Sequence, residues 1–395
     1  MATKTACPFC FSEIDSSNLG FLCSGQGNVP CKKPEKGDPQ RIKMTGNSAL
    51  SYMYLPPEKK ARDFRKCDEC EGETRRRACP ECHTALPVDF VGTKTPMMGL
   101  VGSKGSGKTV LMTVLVQQLR SVIGRRFGAD ISIATDNPDG MQSIGAYMKG
   151  REKALYTDGR LPDGTFTLAQ RGFATPIVLR WRARKSTMLA FLDSAGEDFQ
   201  DDETAQSLRY LTACEYLIVA LDPFSLPGAR ARINLPKEAH DEEDIPDDDS
   251  IYALRRVTNR LRTQFGITGG SKKKISMPVA IVFTKIDAFF PVLDEGNQIM
   301  ASAPPTPAPA YNETDGATVH ELMKTLIAEW DAHEIDSLMS QNYDNYRYFG
   351  VSALGAQPDY ARAQVAAGGV RPHRVEDPVL WLMSKAGTIK AVKTA

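Results

Sequence analysis

No apolar run in this 395-residue chain approaches the roughly 20 residues that a membrane-spanning helix needs, which argues against an integral membrane protein. The opening Met1-Ala2-Thr3-Lys4 lacks the apolar core of a secretory signal, so a soluble, cytoplasmic protein is expected. An excess of one charge is also missing. Lys and Arg number 49 against 48 Asp and Glu, a net charge of +1, and bulk electrostatics give no reason to expect nucleic acid or an anionic membrane as partner. The chain shows no internal repeats. Past residue 83 cysteine all but disappears: only Cys214 remains, in an apolar stretch where it reads as a core residue. Hydrophobic content of 42% and charged content of 25% are ordinary for a globular chain, long enough here for one large core and a smaller module.

The other eight cysteines lie before residue 83, and with no secretory signal they point to metal rather than disulfides. Cys7 and Cys10, Cys67 and Cys70, and Cys79 and Cys82 have two-residue spacing, which lets both thiolates of a tight turn reach one Zn²⁺; Cys23 and Cys31 form a looser pair. Eight thiols make two Cys₄ sites. The two pairings are consecutive (Cys7, Cys10, Cys23, Cys31, then Cys67, Cys70, Cys79, Cys82) or interleaved, and the short spacing from Cys70 to Cys79 favours the consecutive one. His83 reads as a bystander. Metal would supply most of the folding free energy of so small a module. Arg75-Arg76-Arg77 could meet phosphate, yet Glu69, Glu71, Glu73 and Glu81 surround it, so protein docking is favoured over nucleic-acid binding, which stays open through this module alone.

The most informative segment is Gly102-Ser103-Lys104-Gly105-Ser106-Gly107-Lys108-Thr109. It follows a strand-like Met97–Val101 and precedes a helical pattern from Val110 to Ile123 that is expected to stop at Gly124. Strand, glycine-rich loop and helix are the setting in which backbone N–H groups and a helix N-terminus cradle phosphates. Lys108 would reach the β- and γ-phosphates and the Thr109 hydroxyl would hold Mg²⁺. The chain is expected to bind a nucleoside triphosphate.

Further strands are read at Thr175–Arg184, Thr187–Leu192, Glu215–Leu221, Pro278–Phe283 and Tyr348–Val351, and helices at Ile251–Phe265, Val319–Leu338 and Pro378–Lys385. The alternation predicts an α/β fold, a P-loop NTPase sandwich of three layers with a mostly parallel sheet. A zinc ribbon-like module is placed at residues 1–92 and the nucleotide domain at 93–395. Two inserted loops interrupt it, 225–250 with its acidic runs and the proline-rich 291–317, both read as disordered connections. The polar stretch from 125 to 175 lies where a nucleotide-sensing switch is expected.

Three more motifs stand at the carboxyl ends of strands, where such sheets bind ligands. Asp193-Ser194-Ala195-Gly196-Glu197 offers a carboxylate for Mg²⁺ and, in Gly196, an N–H for the γ-phosphate. In Thr284-Lys285-Ile286-Asp287 the carboxylate can accept both N1–H and N2–H₂ of guanine, a pairing adenine lacks, while the Lys285 stem lies over the base. Ser352-Ala353 could present backbone N–H groups to the guanine oxygen.

In this order the motifs resemble the Ras-like and translation-factor-related (TRAFAC) class of P-loop GTPases, over roughly residues 96 to 390. The cysteine-rich head, Asp193–Asp198 and the tail Arg374–Trp381 look closer to the bacterial double-GTPase families of conflict or antiphage systems. The resemblance implies GTP or GDP, Mg²⁺ and two zinc ions as cofactors. It also implies a GTP-binding molecular switch controlling protein partners encoded in the same defence system, with no membrane. Two positions depart from the class. Glu197 stands where glutamine usually orients the attacking water, so hydrolysis is expected to be slow or stimulated by a partner. Thr284 replaces the commoner asparagine. Thr165 is chosen as the switch threonine, with Thr167 and Thr175 as alternatives. Lys108, Gly196, Glu197 and Thr165 are the expected catalytic group. A GTP-binding scaffold without turnover and a general P-loop NTPase are the competing readings.

Overall fold

Strands β1 (Met97–Gly102), β5 (Tyr216–Leu221) and β6 (Val279–Phe283) are buried at every residue. Such unbroken apolar runs occur where a sheet is covered on both faces. The computed structural model describes residues 4–23, 25–27, 29–31, 37–45, 52–58, 63–90, 93, 95–103, 105–134, 144–162, 176–183, 186–193, 210–239 and 249–394. With β2 (Asp130–Ile133), β3 (Ile177–Arg182), β4 (Thr187–Asp193) and β7 (Tyr346–Gly350), these strands form a seven-stranded sheet in the order β2-β3-β4-β1-β5-β6-β7. The pairs from β4 through β7 are parallel, whereas β2–β3 and β3–β4 are antiparallel.

Alternate residues of each strand enter opposite layers, as the two-residue period of a strand requires. Met98, Leu100, Ile218, Ala220 and Val282 face one core with helices α1 (Lys108–Gln118) and α6 (Asp377–Lys385). Val101, Leu217, Val219, Ile281 and Phe283 face the other, with α3 (Asp249–Gln264), α4 (Glu313–Glu329) and α5 (His333–Asn342). Cys7, Cys10, Cys79 and Cys82 belong to that second core, so part of the cysteine-rich head packs on the same layer.

Several boundaries differ from expectation. The helix after the phosphate loop does not stop at Gly124: a π-helical turn at Leu119–Ile123 carries it on to Phe127, and Gly128, at φ 56°, ends it. The pattern from Val319 to Leu338 covers two helices, broken where Asp331 adopts φ 56°. The stretch 125–175 contains β2 and α2 (Ile144–Tyr156), neither of which was anticipated. Nor is 291–317 a loose connection: Ile299 is fully buried, Arg374 and His373 bond its carbonyls, and α4 begins inside it. In 225–250, helical turns occupy Pro227–Arg230 and Lys237–Ala239, and 240–248 lies outside the described residues. Among the described residues no helix is long and apolar enough to cross a membrane.

Candidate nucleotide site and cysteine clusters

The phosphate loop is shaped by its glycines. A Cβ on Gly102 would lie 1.9 Å from the Ala220 carbonyl oxygen of β5, so a side chain there would push the two strands apart. Gly105 and Gly107 hold φ of 71° and 72°, the left-handed region that glycine enters without steric cost. Lys108 opens α1, and its ammonium donates to the carbonyls of Ser103 (2.7 Å) and Gly102 (3.2 Å), which centres the positive charge on the loop. Thr109 follows it, buried at the helix N-terminus where Mg²⁺ chemistry would need it. Asp193 is the last residue of β4, its backbone opposite Leu100 of β1. Lys104, Thr165, Thr167, Thr175, Gly196 and Glu197 lie outside the described residues.

Across the same cleft stand the base-side motifs. Gly105, Ser106 and Gly107 share with Lys285, Asp287 and Ala353 a cleft with about 740 Å³ of open space, which Thr284 and Ser352 also line. Thr284 is turned away from the role asparagine would play. Both its N–H and its hydroxyl donate to the Leu221 carbonyl, locking the end of β6 to that of β5. Lys285 sits at φ 55° and aims its ammonium at the fully buried Asp222, 2.7 Å away, with the Phe224 ring 4.6 Å below. With the charged end fixed, the aliphatic stem is left to form a wall of the cleft. Burial raises the Asp287 carboxyl above its ordinary value, while a hydrogen bond from Ser352 and the charges of His373 and Lys285 pull it back. Ser352 is buried, pairs backbone to backbone with His373 (3.0 and 2.8 Å) and accepts from the Gly355 N–H at 2.7 Å.

The cysteines form two tetrads, and their pairing is nested rather than consecutive. Cys7, Cys10, Cys79 and Cys82 make one, and Cys23, Cys31, Cys67 and Cys70 the other, with all four sulfurs of each within 4.8 Å of one another. Closest approaches are 3.8 Å for Cys7–Cys82 and Cys10–Cys79, 3.5 Å for Cys23–Cys70 and 3.7 Å for Cys31–Cys67. Tetrahedral thiolates with Zn–S bonds of about 2.3 Å stand about 3.8 Å apart, so the donors fit zinc. The consecutive expectation failed because it weighed spacing along the chain, whereas the antiparallel pairing of Gly20–Cys23 with Arg77–Ala78 brings the module's two ends together.

In each two-residue turn the residue four places after the first cysteine donates its N–H back to that cysteine's carbonyl from the left-handed region: Phe11, Glu71 and His83. His83 is thus a turn residue, its ring bonded to Asp38 (2.6 Å) and stacked on Tyr54. Of the three consecutive arginines, Arg76 lies over the Tyr52 ring and Arg77 over Phe21.

The sequence profile of the family described as "Double-GTPase 2" matches residues 96–344. The chain belongs to that family. The match runs from the phosphate-loop strand past the Thr284–Asp287 motif, and the cysteine tetrads lie before it. The Double-GTPase 2 chain is also 25% identical over 333 residues to a protein of Mycolicibacterium smegmatis named "Putative ESX-1 scaffolding and assembly protein SaeC", covering 79% of this chain and 80% of that one.

The structure adds residues in and behind this cleft that the motifs did not reveal. Asp222 is one. Its backbone N–H donates to Ser250 (2.9 Å) and Ser103 (3.2 Å), and its carbonyl accepts from Ser225 and Ser250, so a buried serine cluster ties the phosphate loop to β5 and α3. Its position directly after an apolar strand, like Asp193 and Thr284, was the available signal. Leu161 and Tyr360 line the cleft itself, each in a segment with no strand or helix pattern to single it out.

Proposed function

We propose that this Double-GTPase 2 protein is a guanine-nucleotide-dependent switch that acts on protein partners during assembly. The observation that carries the reading is the single cleft shared by the phosphate loop and the Lys285–Asp287 turn. In it Lys108 and the loop N–H groups hold phosphates, and Asp287 accepts from the guanine edge. Thr109 and Asp193 are the residues that would hold Mg²⁺, which would supply charge neutralisation between the β- and γ-phosphates. Gly196 and Thr165 would contact a γ-phosphate and lose that contact after hydrolysis. Partner control in assembly is supported by the name of the M. smegmatis relative, whereas a defence setting rests on the resemblance of the head and tail. The cysteine tetrads would hold Zn²⁺ and keep the head folded against the sheet as a docking element.

The test is calorimetric titration of the metal-loaded protein, with Mg²⁺, against non-hydrolysable GTP and ATP analogues. Selective binding of the GTP analogue is expected. Equal affinity for both would reduce the reading to a general P-loop NTPase. A second reading, a scaffold that binds GTP without turning it over, is favoured by Glu197, whose charge opposes the γ-phosphate, and by the scaffolding named for the M. smegmatis relative. Single-turnover release of labelled γ-phosphate separates the two: its absence with partner present selects the scaffold.

A further inference from the structure

We propose that Tyr360 is a base-contacting residue of the cleft, its ring supplying the aromatic surface on which the guanine stacks. This rests on the reading of the cleft as a guanine-nucleotide site. Among the described residues two aromatic side chains line it, Phe224 and Tyr360. Phe224 is fully buried, with its ring occupied by the Lys285 ammonium. Tyr360 is half-buried, so its ring retains surface facing the cleft. A purine needs apolar contact on its faces as well as hydrogen bonds at its edge, and base–aromatic stacking is the usual source of that contact.

The segment bearing Tyr360 is built, not draped. It leaves the base-side motif at Ser352 and returns at His373, the two bonded to each other through their backbones, and Arg371 bonds back to Leu354 at 2.8 Å. Gly355, at φ 77°, passes so close to the Arg371 carbonyl that a Cβ would lie 1.8 Å from its oxygen. At the tip, Asp359 and Gln364 exchange both backbone hydrogen bonds (2.8 and 3.0 Å), and the Asp359 carboxylate caps the Arg362 N–H. Ala363 takes φ 51° inside this turn. The tip is then fastened to the chain beyond α2: Leu161 donates to Ala363 and Val365 donates to Gly159, both at 2.8 Å. Leu161 therefore comes to the cleft beside Tyr360. Burial and the nearby Asp222 and Asp287 carboxylates raise the Tyr360 phenol, so the ring stays neutral.

The experiment is equilibrium titration of the full-length, metal-loaded protein with GDP, ADP and inorganic tripolyphosphate, for wild type, Tyr360→Ala, Tyr360→Leu, Tyr360→Phe and Asp287→Asn. Tyr360→Ala should weaken GDP binding roughly 5- to 100-fold, the range that stacking contributes, and leave tripolyphosphate binding unchanged, because the phosphates sit on the Gly102–Thr109 loop. Tyr360→Phe should bind GDP like wild type, and Tyr360→Leu, with bulk but no ring, should fall with alanine. Wild-type GDP affinity in Tyr360→Ala or Tyr360→Leu would overturn the proposal, and so would equal losses of GDP and tripolyphosphate, which would mark Tyr360 as a support for the loop's shape. Failure of the underlying reading looks different: wild type would not prefer GDP to ADP, and Asp287→Asn would change nothing.

Discussion

The Lys285 ammonium lies 2.7 Å from Oδ2 of Asp222, a carboxylate with no solvent exposure at the end of the neighbouring strand. Through the Asp222 backbone this pair continues into Ser103 of the phosphate loop, so the base-reading turn and the phosphate seat share one buried polar network. Asp222→Ala keeps the backbone bonds to the serines but should free the Lys285 ammonium and leave the Phe224 N–H without its acceptor, at a cost of roughly 1–3 kcal/mol. Denaturant melts would measure the stability and GDP titration the effect on the cleft. Wild-type GDP affinity in a folded Asp222→Ala protein would show that the pinned lysine plays no part in binding.

Asp287 sets a pH dependence. Its pKa is raised by burial, so in the nucleotide-free protein the group favours the folded state at low pH, and this contribution is lost as pH rises through the folded value. For guanine the sign reverses, since only the carboxylate accepts two N–H donors. GDP affinity should be flat near neutrality and decline on acidification, starting at a higher pH than an ordinary aspartate would give. Asp287→Asn should abolish that acid limb together with the preference for guanine. Titrations across the acid range for both proteins decide it.

Arg374 holds two carboxylates, Asp315 at 2.8 Å and Asp377 at 2.7 Å, with its own side chain almost wholly buried. Removing the cation with Arg374→Met leaves two buried acids unpaired and should cost roughly 3–5 kcal/mol. One guanidinium cannot fully offset two carboxylates in this setting, and burial pushes Asp377 up to about 7. A raised acid adds stability that is complete below its unfolded value and is lost as pH rises through the folded one. Wild type should thus lose stability between pH 3.8 and about 7 on account of this group, and Asp377→Asn should lose less. Parallel melts against pH would detect the difference.

The nested tetrads make a discriminating prediction for metal content. Cys7→Ser/Cys82→Ser should remove one equivalent of zinc and leave the second, whereas Cys7→Ser/Cys23→Ser should remove both. Consecutive pairing would reverse the Cys7/Cys23 result, leaving one equivalent bound. Elemental analysis of the purified variants reads the outcome directly. Stripping zinc from the wild type with a strong chelator should unfold the head, because bound metal would supply most of the folding free energy of so small a module.

Much of this was legible in the chain because the central strands are uninterrupted apolar runs and each motif sits just past one of them. That adjacency is why the phosphate-loop residues Gly105, Ser106 and Gly107 meet Lys285, Asp287 and Ser352 around one cleft. Edge strand β2 escaped notice because Asp130–Ile133 is short and half exposed, and its partner β3 lies more than forty residues on. The break at Asp331 was hidden because apolar residues recur at helical spacing on both sides of it. Contacts between distant segments leave no local trace, so neither the tetrad pairing nor the approach of Tyr360 to Leu161 could be read from spacing.

The nesting of the tetrads has a consequence for the order of events on the ribosome. The inner cluster is complete once Cys70 has emerged, but Cys7 and Cys10 must wait for Cys79 and Cys82. The first thiols made are therefore among the last to be satisfied. The entropic cost of closing so long a loop exceeds that of a short one only modestly. Because the outer cluster also belongs to the core beneath the sheet, the last thiols of the head are made just ahead of the first sheet strand, Met97–Gly102, which shares that core.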